Sequence, residues 1–318
     1  MCSIHVYSLT SLATLFVCGI IISERLKMER WGGVVEEFRV FCTGLFSCIP
    51  PCFTPLPGMP QHTSPLFPAS RSSAPEVSVV VPVHNEEGNI VSLIDEIHTA
   101  LEGVADFEVI YVDDGSNDTT PLRLAESARN RPRLRVLHHR SSCGQSTALV
   151  SGIRAARGRY VATLDGDGQN DPADIPALLT VTRADYGIGP LLVAGWRAHR
   201  HDTWFRRLSS RVANTVRGRL LKDYTPDTGC GLKVFSRTVF LELPYFDHMH
   251  RFLPALFLRA GGRVQSVPVN HRPRTRGASK YGLNNRLWVG IVDLFGVRWL
   301  QARARIAEVE ELEVPTRE

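Results

Sequence analysis

Beyond residue 74 the chain has only two cysteines, Cys143 and Cys230. That excludes a disulfide framework and fits a reducing compartment. The other five, Cys2, Cys18, Cys42, Cys48 and Cys52, match no zinc-ligand spacing. No Gly-x-Gly-x-x-Gly follows the first apolar run, and no Gly-x-x-x-x-Gly-Lys-Ser/Thr occurs, so neither a dinucleotide-binding fingerprint nor a phosphate loop is present. Charge of one sign does not dominate either. The net charge is +5, and the basic residues are not interleaved with a stacking platform, which argues against nucleic acid as partner. The 318 residues, 43% hydrophobic and 22% charged, suffice for one large α/β domain with extensions.

Residues 1–74 differ in character from the rest. Ile4–Ser23 is long enough to cross a bilayer, although His5 and several hydroxyls make it a marginal span. Arg25, Lys27 and Arg30 follow it and would hold the body at the cytoplasmic face. A Pro/Ser-rich linker runs on to Ala74. The expectation is a leader with a single N-terminal anchor over 1–74. The alternative is an upstream extension with the working start at Met59.

The body alternates strands and helices. Val77–Val83, Phe107–Val112, Leu134–His138, Arg159–Leu164, Leu191–Trp196 and Arg263–Val269 read as strands. Ile90, Leu93, Ile94, Ile97 and Leu101 recur at helical spacing. Further helices are expected over Gly144–Arg157 and at about 204–220 and 250–260. Asp118 or Thr119 would cap another, with Pro121 in its first turn. This order predicts a mostly parallel sheet with helices on both faces, and such sheets bind ligands at the carboxyl ends of their strands.

The polar motifs fall at those ends: Asn85-Glu86, Asp113-Asp114 and Asp165-Gly166-Asp167-Gly168-Gln169. Two carboxylates two residues apart after a buried strand suit a hard divalent cation, Mg²⁺ or Mn²⁺, that bridges to phosphate. The EF-hand glycine and terminal glutamate are missing. The structural alternatives are an exposed acidic turn at Asp165 and, for Glu86-Glu87, favourable charge at a helix N-terminus.

Pro82-Val83-His84-Asn85-Glu86-Glu87, Val112-Asp113-Asp114-Gly115-Ser116 and Asp165-x-Asp167-x-Gln169, in this order and spacing, resemble the inverting family 2 glycosyltransferases of GT-A fold. Asp227-Thr228-Gly229-Cys230-Gly231-Leu232-Lys233-Val234-Phe235 and Arg274-Thr275-Arg276-Gly277-Ala278-Ser279-Lys280-Tyr281-Gly282 narrow the resemblance to the polyprenyl-phosphate glycosyltransferases, the dolichol-phosphate mannosyltransferase-like group. The similarity covers about residues 76–282. It implies a GT-A catalytic domain over 75–282, a nucleotide-sugar donor linked to GDP or UDP, and a polyprenyl phosphate acceptor. By match, Pro82, Asn85, Glu86, Asp113, Asp114 and Asp165 hold the nucleotide-sugar, and Asp165, Asp167 and Gln169 hold the metal and diphosphate. His84 replaces the usual aromatic of the first loop.

A polyprenyl phosphate is already an anion and needs no general base; it needs cations around both phosphates. Arg197, Arg200, Arg206, Arg207, Arg211, Arg217 and Arg219 fall within 23 residues. By match, Arg197, Arg206 and Ser210 bind the acceptor phosphate, with Arg206 and Ser210 on one helix face. The alternative is a solvated basic helix or one resting on anionic lipid. Arg276 and Lys280, with Arg274, lie in a glycine-flanked loop suited to closing over the diphosphate. The expected catalytic set is therefore Asp167, Arg206, Arg276 and Lys280. Asp227 is expected to orient an arginine or contact the sugar, or else to cap a turn. A hydroxyl acceptor would instead require it as base.

Residues 283–318 comprise an apolar stretch with Trp288, Trp299 and flanking arginines, then an acidic tail. Asp293 and the short length argue against a bilayer span. The expectation is an interfacial helix at the membrane surface; the alternative is a helix packed on the domain. A membrane partner subunit is a further route to lipid. A non-catalytic nucleotide-sugar-binding subunit is the non-enzymatic alternative.

Overall fold

A computed structural model describes residues 74–197, 215–273 and 283–307, with side chains of the last segment described from 290. All belong to one compact unit, Arg71–Glu318. The expected leader and its anchor lie outside the described residues.

Seven strands form one mixed sheet: β1 (Val77–Val83), β2 (Phe107–Asp113), β3 (Leu134–His138), β4 (Tyr160–Thr163), β5 (Leu191–Trp196), β6 (Lys233–Ser236) and β7 (Arg263–Pro268), in the order β3-β2-β1-β4-β6-β5-β7. The helices are α1 (Ile90–Leu101), α2 (Thr120–Arg129), α3 (Gln145–Ala155), α4 (Ile175–Ala184), α5 (Arg237–Leu241), α6 (Leu253–Arg259) and α7 (Leu283–Arg303), with residues 215–221 also helical. All the expected strands form. Three elements escaped the periodicity, α4, α5 and β6. β6 runs antiparallel to both of its neighbours, while the other pairings are parallel.

Every residue of β1 and β2 is buried because both faces of the sheet are covered. Val79, Val81 and Val109 face one layer with Ile94 and Ile97 of α1 and Leu178 of α4. Val80, Ile110 and Val161 face the other with Ile153 of α3, Phe257 of α6 and Val297 of α7. Each such side chain contributes about 1.5–3 kcal/mol by leaving water. Winding reverses between β1 and β4, and the carboxyl ends of these two strands open the crevice where α/β sheets hold ligands.

α7 packs on the domain along one side. Val297 is buried, Leu294 and Leu300 pack on the core, and Gln301 Nε2 donates to Leu221 O at 2.9 Å. The opposite stripe, Val292, Phe295 and Trp299, is 68%, 48% and 60% exposed. Among the described residues no helix is long and apolar enough to cross a membrane.

The other end of the sheet is locked by a buried carboxylate. Glu108 accepts from Ser78 Oγ and Arg157 N, both at 2.7 Å, and from Arg135 Nη1 at 2.7 Å. Ser78 Oγ in turn accepts from Gly158 N at 2.9 Å. Glu108→Ala strands a cation and two donors, so it is expected to lower stability by about 3 kcal/mol. Urea unfolding checks this as a lower midpoint at unchanged m.

Candidate active site

The loops after β1 and β2 are sewn to each other. Asn85 N donates to Ser116 Oγ and Asn117 N to Asn85 Oδ1, both at 2.8 Å. Glu86 N donates to Thr120 Oγ1 at 2.9 Å, and His84 Nδ1 lies 2.8 Å from Asp114 O. Asn85 takes φ 55°, a left-handed conformation that asparagine tolerates better than most residues. Asp113 is fully buried and accepts from Ser116 N at 3.1 Å, with His138 Nδ1 at 2.7 Å.

Asp114 accepts from Cys143 N, Gly144 N and Ser142 Oγ, each at 2.8 Å, with His139 Nδ1 at 2.7 Å. Burial alone would raise its pKa; these bonds more than reverse that and hold it below the ordinary value. Both aspartates thus spend their carboxylates on framing the cleft. Asp114, His139 and Cys143 bring ligand-type atoms within 4.8 Å of one another, the one such trio among the described residues. His139 Nδ1 already bonds Asp114, Cys143 Sγ donates to Ser141 O at 3.3 Å, and His139 Nε2 lies 2.9 Å from Ser151 Oγ, so the cluster is a hydrogen-bond network rather than a cation seat.

The Asp165-Gly166-Asp167 turn leaves β4 beside the end of β1. Gly166 lets it approach closely, since any Cβ there would meet Val83. Gln145, at the start of α3, donates from Nε2 to Asp165 Oδ1 at 2.8 Å. The backbone of Gly231 lies against the same carboxylate, leaving no room for a side chain. Burial, then Asp167, raise the pKa of Asp165, opposed by Lys233, Arg197 and Gln145. Two partly buried carboxylates, two residues apart, are the donor set that a hard divalent cation neutralises, with substrate phosphate oxygens able to complete its shell. Asp167 Oδ1 accepts from Gln169 N at 3.1 Å. The Gln169 carbonyl accepts from Arg272 N at 2.9 Å, and Arg272 spans Glu96 at 2.5 Å and Asp171 at 2.7 Å.

Arg197 grips Asp227 with a bidentate fork, Nε to Oδ2 at 2.6 Å and Nη2 to Oδ1 at 2.8 Å. Asp227 therefore orients an arginine, as the sequence suggested, and is not placed as a base. Arg217 is not a solvated cation. It braces the 223–228 loop through Thr225 O at 2.8 Å, Thr228 Oγ1, and Asp223 at 3.4 Å. Arg206, Ser210, Arg276 and Lys280, with Arg200, Arg207, Arg211 and Arg274, lie outside the described residues.

A cavity of about 440 Å³ opens beside Asp165, lined among others by Gln145, Thr163, Gly229, Gly231, Lys233, His250 and Arg251. Gln145, Lys233, His250 and Arg251 were missed in the sequence. Lys233 had a legible signal, a lysine opening an otherwise apolar strand. It is 4% exposed and donates to Cys230 O; burial lowers its pKa. His250 Nδ1 lies 2.7 Å from Ser146 Oγ, and burial, then Arg251, push its pKa down to about 3.

Any side chain on Gly231 displaces the Asp165 carboxylate. Gly231→Ala is expected to weaken Mn²⁺ binding, read by water-proton relaxation, about tenfold or more. His250 is neutral in the fold but protonates near 6.5 when unfolded. Between those values the unfolded chain binds the extra proton, so stability is whole above about pH 6.5 and falls by a few kcal/mol toward about pH 3. His250→Gln is expected to flatten that slope in urea midpoints taken from about pH 7 to about pH 4.

Residues 78–243 match the model of the family described as glycosyl transferase family 2. Over 228 residues the chain is 36% identical to dodecaprenyl-phosphate galacturonate synthase of Rhizobium johnstonii, covering 70% of this chain and 66% of that protein. It is 34% identical to undecaprenyl-phosphate 4-deoxy-4-formamido-L-arabinose transferase of Edwardsiella ictaluri, covering 65% of this chain and 63% of the relative. The matched part thus spans just under two thirds of these curated relatives. Glucosyl-3-phosphoglycerate synthase of Mycobacterium tuberculosis, in complex with Mn²⁺, uridine diphosphate and phosphoglyceric acid, superposes with a TM-score of 0.51 at 21% identity, over 73% of this chain and 80% of that one. The sheet order, the motifs at its carboxyl end and these likenesses agree: the fold is GT-A, and the chain belongs to glycosyl transferase family 2.

Proposed function

We propose that this chain transfers a sugar, with inversion, from a GDP- or UDP-linked donor to a polyprenyl phosphate at the cytoplasmic face of a membrane, using Mg²⁺ or Mn²⁺. The observation that carries this reading is the charge arrangement. One acidic pair, Asp165 and Asp167, faces a wall containing Lys233 and Arg251, and Asp227 is held by Arg197. Among the described residues Asp227 is engaged by Arg197 and cations line the cavity beside the acidic pair, which suits an acceptor that arrives already anionic. The names of the two curated relatives, both polyprenyl-phosphate enzymes, support the acceptor class. The Mn²⁺ complex of the structural neighbour is consistent with the metal.

Asp165 and Asp167, with Gln169, would hold the cation, which neutralises the leaving diphosphate. Pro82, Asn85, Glu86 and the Asp113-Asp114 loop frame the nucleoside side of the cleft. An oxygen of the acceptor phosphate forms the new bond to the anomeric carbon. The bond from that carbon to the diphosphate oxygen breaks, and its electron pair leaves with the nucleoside diphosphate. No proton has to move. Asp227 fixes the plane of the Arg197 guanidinium for the incoming phosphate. Arg206 and Ser210 are assigned to the same phosphate, and Arg276 and Lys280 to the closing loop. The exposed Val292-Phe295-Trp299 stripe, with exposed Arg298 and Arg303 beside it, would rest at the lipid interface.

Membranes containing the protein, given labelled UDP- and GDP-sugars, Mn²⁺ and undecaprenyl or dolichyl phosphate, are expected to yield an acid-labile, organic-extractable labelled lipid. Asp167→Ala should abolish it. Asp227→Asn is expected to raise KM for the lipid phosphate about tenfold or more while retaining turnover at saturation. Complete loss of turnover in Asp227→Asn would favour a hydroxyl acceptor with Asp227 as base.

A further inference from the structure

His250 brings to the cavity a ring nitrogen that the fold itself does not use. Its Nδ1 lies 2.7 Å from Ser146 Oγ, and its backbone N–H donates to the same oxygen at 3.4 Å. Ser146 is 1% exposed, so its hydroxyl proton needs an acceptor inside the protein. Among the described residues that acceptor is Nδ1. Were Nδ1 to carry a proton, Ser146 Oγ would accept twice and its own hydrogen would be buried unpaired, which is costly. The hydroxyl therefore donates to Nδ1, and in the neutral ring the proton sits on Nε2. Burial, then Arg251 and Lys233, keep the ring from taking a second proton. A flipped ring would lose the Ser146 bond, and the turn that carries it is fixed by buried Met249 and Phe252 on either side.

Nε2 has no hydrogen-bond partner among the described residues, and it is not sealed in the core. Other polar groups of the cavity are spent on the fold: Gln145 donates to Asp165, Thr163 to Gly231 O and Lys233 to Cys230 O. We infer that His250 is a substrate-contacting residue whose Nε2–H donates to an oxygen of the molecule held in the cavity beside Asp165, and that Ser146 is the positioning residue that fixes its tautomer. The inference rests on the nucleotide-sugar reading above, which puts the leaving diphosphate at Asp165. The ligand chemistry is a lone-pair oxygen, either a hydroxyl of the transferred sugar or an oxygen of the acceptor phosphate. With Nδ1 accepting and Nε2 protonated, the ring has no lone pair left to act as a base, in keeping with an acceptor that needs none.

Two substitutions separate the two ends of the ring. His250→Asn places an amide near the Nδ1 position, so it keeps the Ser146 bond and removes the cavity donor. His250→Gln reaches the Nε2 position and keeps a donor there. Equilibrium binding of UDP-glucose, UDP-galacturonate, GDP-mannose, UDP and GDP is measured on the full chain with Mn²⁺ and no lipid, and KM for undecaprenyl phosphate with the donor that binds. His250→Asn is expected to weaken one of the two about fivefold or more, as the loss of one hydrogen bond implies, while His250→Gln stays within about twofold of wild type. Lost nucleotide-sugar affinity with bare nucleotide unchanged assigns the contact to the sugar; a raised KM for undecaprenyl phosphate with donor affinity unchanged assigns it to the acceptor. Nitrogen–proton correlation spectra of the histidine rings, with His250 identified by its absence from His250→Asn, are expected to show the Nε2–H tautomer in the wild type and a mixture in Ser146→Ala. Urea midpoints confirm the fold of each variant. An Nδ1–H tautomer in the wild type would overturn the inference, and so would His250→Gln losing as much as His250→Asn. If the wild type binds no nucleotide, the nucleotide-sugar reading fails and the substrate contact falls with it. Wild-type binding with an indifferent His250→Asn sinks this inference alone.

Discussion

The partly buried carboxylate of Asp165 is the constraint around which the site is built. An anion drawn out of bulk water is tolerated only where dipoles and cations surround it. Here they come from three separate stretches of chain: the Gln145 amide at the head of α3, the Lys233 ammonium on β6, just after the Gly231 backbone that packs against the carboxylate, and the Arg197 guanidinium after β5. None of the three is near Asp165 in sequence, so the acidic turn depends on the whole sheet being in register. Asp167, two residues on, adds repulsion to the Asp165 carboxylate.

The second acidic pair has the opposite economy. Asp113 and Asp114 are satisfied by the loops that follow β2 and β3, and Gly115, at φ 65°, lets the Ser141-Ser142 backbone pass against the turn. Two aspartate motifs that look alike in sequence thus do different work. One fixes the walls of the crevice and the other presents charge to it. Local spacing cannot separate them, because the difference lies in which donors the tertiary structure brings.

The strands were legible because both faces of the sheet are covered, which forces near-continuous apolar runs such as Val77–Val83. α1 was legible from its single buried stripe. β6 was not, since it holds only four residues and opens on a charged side chain. α4 was hidden by its start, a proline-containing turn with aspartates on either side. At the site, the acidic turn could be read from residue type and position, and holding an arginine was one of the roles open to Asp227, but which arginine was not legible. Gln145, His250 and Arg251 could not, because their roles follow from α3 and the 249–251 turn meeting over β4 and β6, a contact with no local trace.

The antiparallel β6 also bears on how the molecule assembles. It pairs with β4 and β5 at once, joining Tyr160 to Ser236 across a long sequence interval. Until that segment has left the ribosome, β4 keeps one edge open and β5 has no link to the growing sheet. Long-range pairing of this kind closes slowly, and open apolar edges invite association with other chains. Synthesis would therefore pass through a stage in which the half of the crevice framed by the loops after β1 and β2 is formed while Asp165 still lacks Gly231 and Lys233. Catalytic competence would arrive last, as a single late closure of the sheet.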